Sequence, residues 1–219
     1  LANWKDRTLM RNEVAFGIAD VFKRTFPNDG MAWNPSGQHV ELVYNGVYVG
    51  NYYLCEHVKV DGNRLDINDP YDPDEGYSGN PADYGYLLEA DDGYDETWQF
   101  TTACYVPFLF KDDANDAMLT YAANLVRGIE DKLYAGNYDE AFAQMDLTSF
   151  VDYWLVQELM MNSETSHPKS CYNYLNNGVM YAGPLWDFDW NTLPVSKTYS
   201  ENDYDFTKSM LQDAVKSSG

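Results

Sequence analysis

The apolar positions of this chain change period along its length, and the changes divide it into elements. Over residues 6 to about 24, Leu9, Met10, Val14, Ile18, Val21 and Phe22 recur at helical spacing. Asp6 or Thr8 can cap that helix and Pro27 lies just beyond its end, which leaves Arg11 and Asn12 on a face expected to meet solvent. The period then drops to two. Residues 40–44 and 47–58 are β-rich runs on either side of Asn45-Gly46, the strongest short hairpin signal a sequence carries. Glu56, late in the second run, reads as a solvent-facing strand position. Residues 84–90 form a further strand, and 100–110 is extended, with Pro107 pointing to a sheet edge.

Helical spacing returns over 114–134, where Met118, Leu119, Ala122, Leu125, Val126, Ile129 and Leu133 mark one face and Gly136 supplies a C-terminal cap. A short helix around 139–144 precedes a longer one over 147–162, capped by Asp146 or Thr148. Its inner stripe reads Phe150, Val151, Trp154, Leu155, Glu158, Leu159 and Met161. Strands over 171–175 and 179–181 flank Asn176-Asn177-Gly178 and lead into Gly183-Pro-Leu-Trp-Asp-Phe-Asp-Trp-Asn191. Drawn as a strand, that motif puts Asp187 and Asp189 on one face and Trp186, Phe188 and Trp190 on the other. A polar tail follows, with one amphipathic piece over 206–215. No internal repeat is present. The order predicts an α+β fold, β-rich over about 1–110 and helical over about 111–219.

Composition narrows the function classes. Apolar residues make up 45% of the 219 and aromatics 16%, enough for a folded core. The formal charge of −21 repels nucleic-acid backbones and anionic membranes and suits cations, solubility outside the cell or a basic protein partner. No stretch approaches the ~20 apolar residues of a membrane span. Cys55, Cys104 and Cys171 form no Cys-x-x-Cys motif and read as small buried hydrophobes. The start, Leu-Ala-Asn-Trp, has no initiator Met and reads as that of an excised piece.

Two groups of residues carry candidate chemistry. The acids Asp66, Asp69, Asp72, Asp74 and Glu75 offer oxygens for Ca²⁺, but the EF-hand spacing is absent and prolines break the register. A solvated acidic loop is therefore the preferred reading. Asp187 and Asp189 differ, because paired carboxylates repel unless they share a proton or a hard cation such as Mg²⁺. Upstream, the polar loop Asn162-Ser-Glu164-Thr-Ser-His167-Pro-Lys169-Ser170 holds a carboxylate, an imidazole and an amine. His167 reads as a surface residue, and His39 and His57 show no metal spacing.

A buried helix, a polar loop, a β-ribbon and then an Asp is the order in which protein kinases place their catalytic base and the Asp that holds Mg²⁺. The His-Arg-Asp, Asp-Phe-Gly and glycine-rich signatures are absent. Separated segments instead resemble the spore-coat protein H (CotH) kinase-like family. They are Asp6-Arg-Thr-Leu-Met-Arg-Asn12, Asn45-Gly-Val-Tyr-Val-Gly-Asn-Tyr-Tyr-Leu-Cys-Glu56 and Gly85-Tyr-Leu-Leu-Glu89, followed by Asp146-Leu-Thr-Ser-Phe-Val-Asp-Tyr153 with Gln157-Glu-Leu159 and Asn162. Ser170-Cys-Tyr-Asn-Tyr174 and Gly183-Pro-Leu-Trp-Asp-Phe-Asp-Trp190 complete the set, in the family's order.

The resemblance implies a two-lobed, atypical kinase-like fold, secreted or on a cell or spore surface, using ATP and Mg²⁺ to phosphorylate Ser or Thr of a protein substrate. It makes Asp187 the metal-binding acid, with Asp189 assisting, and sets Asn162 and Lys169 near the phosphates. Glu164 stands where the family carries the catalytic Asp; its extra methylene displaces the carboxylate by about 1 Å. The resemblance also implies a phosphate-binding lysine upstream of residue 1 and further C-terminal helices. The alternative is a kinase-like binding or scaffold module of a bacterial surface or polysaccharide-degrading assembly. A glycoside hydrolase ranks last, because carboxylates two apart on one strand cannot flank a sugar bond.

Overall fold

Asp6 sets the first helix from outside it. Its carboxylate accepts the Thr8 N–H and hydroxyl at 2.9 and 2.6 Å and the Arg11 N–H at 2.8 Å. These bonds fold residues 6–10 into a turn, so α1 (Arg11–Thr25) begins later than the apolar spacing predicts. The computed structural model describes residues 5–68, 79–92, 96–166, 168–190 and 192–193. Asp69, Asp72, Asp74, Glu75, His167, Asn191 and the piece over 206–215 lie outside the described residues.

After α1, β1 (Gly37–Tyr44) and β2 (Val47–Cys55) pair antiparallel as a separate ribbon. Asn45 and Gly46 make its turn at φ 49° and 78°, the left-handed region that a two-residue hairpin requires. Glu56 is not a free strand position: its carboxylate accepts the Ser36 N–H and hydroxyl at 2.9 and 2.8 Å.

Next come β3 (Tyr86–Ala90), β4 (Gln99–Thr101) and β5 (Pro107–Phe110). Then follow α2 (Asp116–Tyr134), α3 (Tyr138–Phe142) and α4 (Leu147–Leu159). The series ends with β6 (Cys171–Asn176) and β7 (Val179–Ala182), joined by a second Asn-Gly turn. The five later strands form one antiparallel sheet ordered β4-β5-β3-β6-β7. It draws strands from both sides of residue 110. Pro107 does not mark an edge. It is the first residue of an inner strand, a place where a missing N–H is tolerated, and β4 forms the edge.

The sheet is covered on both faces. Tyr86, Leu88, Ala90, Phe108 and Phe110 pack on one side against Met118, Ala122, Val126 and Ile129 of α2, the stripe the sequence predicted. On the other side Leu87, Tyr172 and Tyr174 pack against Val58, Leu65 and Ile67. A third cluster joins Ala15, Phe16 and Ala19 of α1 to Val156 and Met160 at α4 and to Leu185 and Phe188. Among the described residues, no helix is long and apolar enough to cross a membrane, and all three cysteines are free.

α4 departs from its predicted stripe. Ser149, Val156 and Gln157 face inward, while Val151 and Leu159 are 50% and 41% exposed. The helix is apolar around most of its circumference, so periodicity cannot choose a face; hydrogen bonding does. Ser149 Oγ donates to the Asp146 carbonyl and accepts the Ala182 N–H, tying α4 to β7. The helix also stops at Leu159 and not at Asn162. The Met161 and Asn162 N–H groups turn back to the Glu158 and Gln157 carbonyls, with Met161 left-handed at φ 51°.

Candidate active site

The predicted strand over 183–191 is instead an irregular turn, and its packing explains why. Gly183 has φ 96°, and a Cβ there would lie 3.0 Å from Met31 Sδ, so this position requires glycine. The Gly183–Pro184 peptide is cis. Leu185 and Phe188 both plunge into the α1–α4 core with no exposed surface. That spacing of three replaces the alternation of a strand. The aromatics therefore share no face: Trp186 meets His57 edge-on, Phe188 is core, and Trp190 is 46% exposed beneath the Lys5 ammonium.

Off the ladder, the turn's backbone groups need other partners. Side chains supply them. Asn34 Oδ1 accepts the Leu185 N–H and Asn12 Oδ1 accepts the Phe188 N–H, each at 2.8 Å. Arg11 donates from its two terminal nitrogens to the Asp189 and Leu193 carbonyls at 3.1 and 3.3 Å. The Thr192 hydroxyl closes onto the Phe188 carbonyl. Arg11 and Asn12, expected on a solvated face, thus hold the acidic turn in place. Their one signal in the sequence is their presence in the first family-like segment.

Asp187 sits left-handed at φ 60°, between the fully buried Leu185 and Phe188. Burial, then a hydrogen bond shared with Asp189 and that residue's charge, then the charge of Glu164, push its carboxyl up to about 7. The Ser170 hydroxyl, donating to Asp187 Oδ2 at 3.5 Å, offsets this in part. The structure therefore brings Asp187 and Asp189 within hydrogen-bond reach of each other, with Glu164 near enough for its charge to act on Asp187, although not by the strand the sequence suggested.

The loop after α4 delivers the rest. Asn162 donates from Nδ2 to Gln157 Oε1 at 2.8 Å and accepts the Glu164 N–H on Oδ1 at 3.1 Å, so its amide shapes the loop. Glu164 is 8% exposed. Lys169 pairs with Asp92 at 3.1 Å on the rim, both side chains half exposed. Asp91 is buried at the end of β3 and accepts the Ser170 N–H at 3.2 Å.

Among the described residues, no three His, Cys, Asp or Glu side chains gather as a metal-binding group. Two carboxylates forced together fit Mg²⁺ better than Ca²⁺. Mg²⁺ is usually held by one or two acids and completed by water and phosphate oxygens, whereas Ca²⁺ takes six to eight oxygen ligands. Asp66, the one described acid of the predicted Ca²⁺ loop, is exposed.

A mixed sheet-and-helix body, with a helix, polar loop, β-ribbon and acidic turn converging on one site, defines an α+β kinase-like domain. The chain belongs to the CotH kinase family: the family model described as CotH kinase protein matches residues 1–216. A search of curated proteins and a search of solved structures gave no match.

Proposed function

We propose that this domain is an Mg²⁺-dependent protein kinase that moves the γ-phosphoryl group of ATP to a Ser or Thr hydroxyl of a protein at a cell or spore surface. The observation that carries the reading is the Asp187–Asp189 pair, held close in a half-buried turn within reach of the charge of Glu164. Asp187 and Asp189 would hold the Mg²⁺ ion. Bound there, the ion neutralises the pair and supplies positive charge against the phosphates. Glu164 takes the proton of the substrate hydroxyl as the new O–P bond forms and the β,γ-bridging P–O bond breaks. Asn162, Arg11 and Asn12 position these acids without touching the reacting atoms. The acidic surface favours a basic substrate segment.

Calorimetric titration with ATP, with and without Mg²⁺, tests the reading on this chain and on Asp187→Ala. Saturable binding that needs Mg²⁺ and is lost in the variant is the expected result. No binding to either protein would leave a non-catalytic module that keeps the fold to bind a partner.

A further inference from the structure

Phosphoryl transfer needs two segments at a fixed separation: the loop after α4, which carries Glu164, and the turn after β7, which carries Asp187. A line of interior hydrogen bonds runs from one towards the other. It starts at the Glu164 N–H, which donates to Asn162 Oδ1 at 3.1 Å. Asn162 Nδ2 donates in turn to Gln157 Oε1 at 2.8 Å, and the Asn162 N–H donates to the Gln157 carbonyl at 3.0 Å. Gln157, itself 4% exposed, thus holds Asn162 by backbone and side chain at once.

The Gln157 side chain is also bonded to the Tyr153 hydroxyl, one turn earlier on the same face of α4. That hydroxyl bonds Cys171, the first residue of β6. Burial is the main cause that holds the phenol well above its usual range, so it keeps its proton and can donate. The Cys171 bond raises it further, as donation by the phenol does, and the Gln157 bond lowers it, as donation to the phenol oxygen does. The Cys171 thiol, pushed up to about 11 mainly by burial, donates onward to the Lys169 carbonyl at 3.3 Å. Asn162 and Gln157 each accept on oxygen and donate on nitrogen, so every bond points the same way, from Glu164 towards β6. Successive bonds in such a line polarise and strengthen one another. The last of them closes the turn over Ser170, which is left-handed at φ 50° and whose hydroxyl reaches Asp187. Apolar side chains of similar size would fill the space between α4 and β6 without the cost of burying polar groups, so packing does not require this line. A fully satisfied polar line instead fixes one arrangement of its members.

We propose that Gln157, Tyr153 and Cys171 are positioning residues of the phosphoryl-transfer site, an interior line that sets Glu164 against Asp187. This assignment rests on the kinase reading. The three act through Asn162 at one end and the Ser170 turn at the other, without touching the reacting atoms.

The test is amide hydrogen exchange, read by NMR on the whole chain without ligand, for wild type, Tyr153→Phe, Cys171→Ala and Cys171→Ser. Tyr153→Phe keeps the ring and removes the hydroxyl. Its Glu164 N–H is expected to exchange roughly threefold to tenfold faster, the loss of about one hydrogen bond, while N–H groups in the middle of α4 keep their wild-type rates. Cys171→Ala should speed the Ser170 N–H likewise. Cys171→Ser can accept from Tyr153 and donate to Lys169, so it should recover the wild-type rate, whereas a packing role would move Ala and Ser alike. Unchanged Glu164 exchange in a folded Tyr153→Phe overturns the assignment. Should that variant fail to fold, the Cys171 pair decides, and equal effects of Ala and Ser overturn it. With Mg·ATP and an arginine-rich serine peptide as probes, Tyr153→Phe should also transfer phosphate roughly tenfold to hundredfold more slowly at unchanged Mg·ATP affinity by calorimetry. A matching loss of affinity overturns the positioning role. The two failures stay distinct: a wild-type chain that binds no Mg·ATP overturns the kinase reading and this role with it, whereas unchanged exchange overturns the role alone.

Discussion

Asp187 carries opposite demands in the empty and the loaded protein, and that makes its pH dependence informative. Its folded-state pKa of about 7 lies above the ordinary 3.8, so the fold favours the protonated acid. The resulting stabilisation is fully present below about 3.8 and is lost as pH rises through about 7. In EDTA, Asp187→Asn should therefore melt close to wild type at pH 4 and above it at pH 8, measured by thermal unfolding. Parallel curves for the two proteins would sink the idea that Asp187 is held against its neighbours. Mg²⁺ competes with that proton, so its affinity should climb over the same pH range. Glu164 makes a separate prediction. Removing a general base costs on the order of 10²–10⁴ in rate, so Glu164→Gln should lose phosphoryl transfer to that extent while still binding Mg·ATP. Equal loss of binding and transfer would assign Glu164 to the metal.

The elements behind these residues show what a sequence reveals by itself. Both hairpins were legible because Asn45-Gly46 and Asn177-Gly178 encode their turns within a few residues. The cap on α2 was legible for the same reason, since Gly136 takes the left-handed position next to its helix. The acidic turn was not, because its shape is dictated by side chains 176 to 182 positions away on α1. Its sequence alternates like a strand's, while Asn12, Arg11 and Asn34 hold it in another form. Asn12→Ala leaves the Phe188 N–H buried without a partner, which should cost about 1–3 kcal/mol in urea unfolding and weaken Mg²⁺ binding. Unchanged Mg²⁺ affinity would separate α1 from the site. Asp6→Ala should cost about 1–2 kcal/mol at pH 7. Burial raises the Asp6 carboxyl, but bonds from Thr8 and Arg11 outweigh it and leave the pKa below 3.8. The difference from wild type should therefore shrink as pH falls below about 4, once the folded-state carboxylate takes up its proton.

At the scale of the whole molecule, a net charge of −21 acts on every measurement. Like charges repel across the surface, and the repulsion is screened over a Debye length of about 10 Å at 0.1 M salt. Sodium chloride alone should therefore raise the melting temperature, with no site involved. Mg²⁺ would do so by screening too, and a simple titration would confuse the two effects. Matching ionic strength removes the ambiguity, because the screening contribution is then nearly the same for both salts. At pH 8, where the Asp187 carboxyl has shed its proton, Mg²⁺ should stabilise the wild-type chain beyond the matched sodium salt. Asp187→Ala should keep the general salt effect and lose the extra increment. An increment that survives in the variant would locate the divalent ion elsewhere on the acidic surface, and the Asp187–Asp189 pair would no longer serve as the metal site of a kinase.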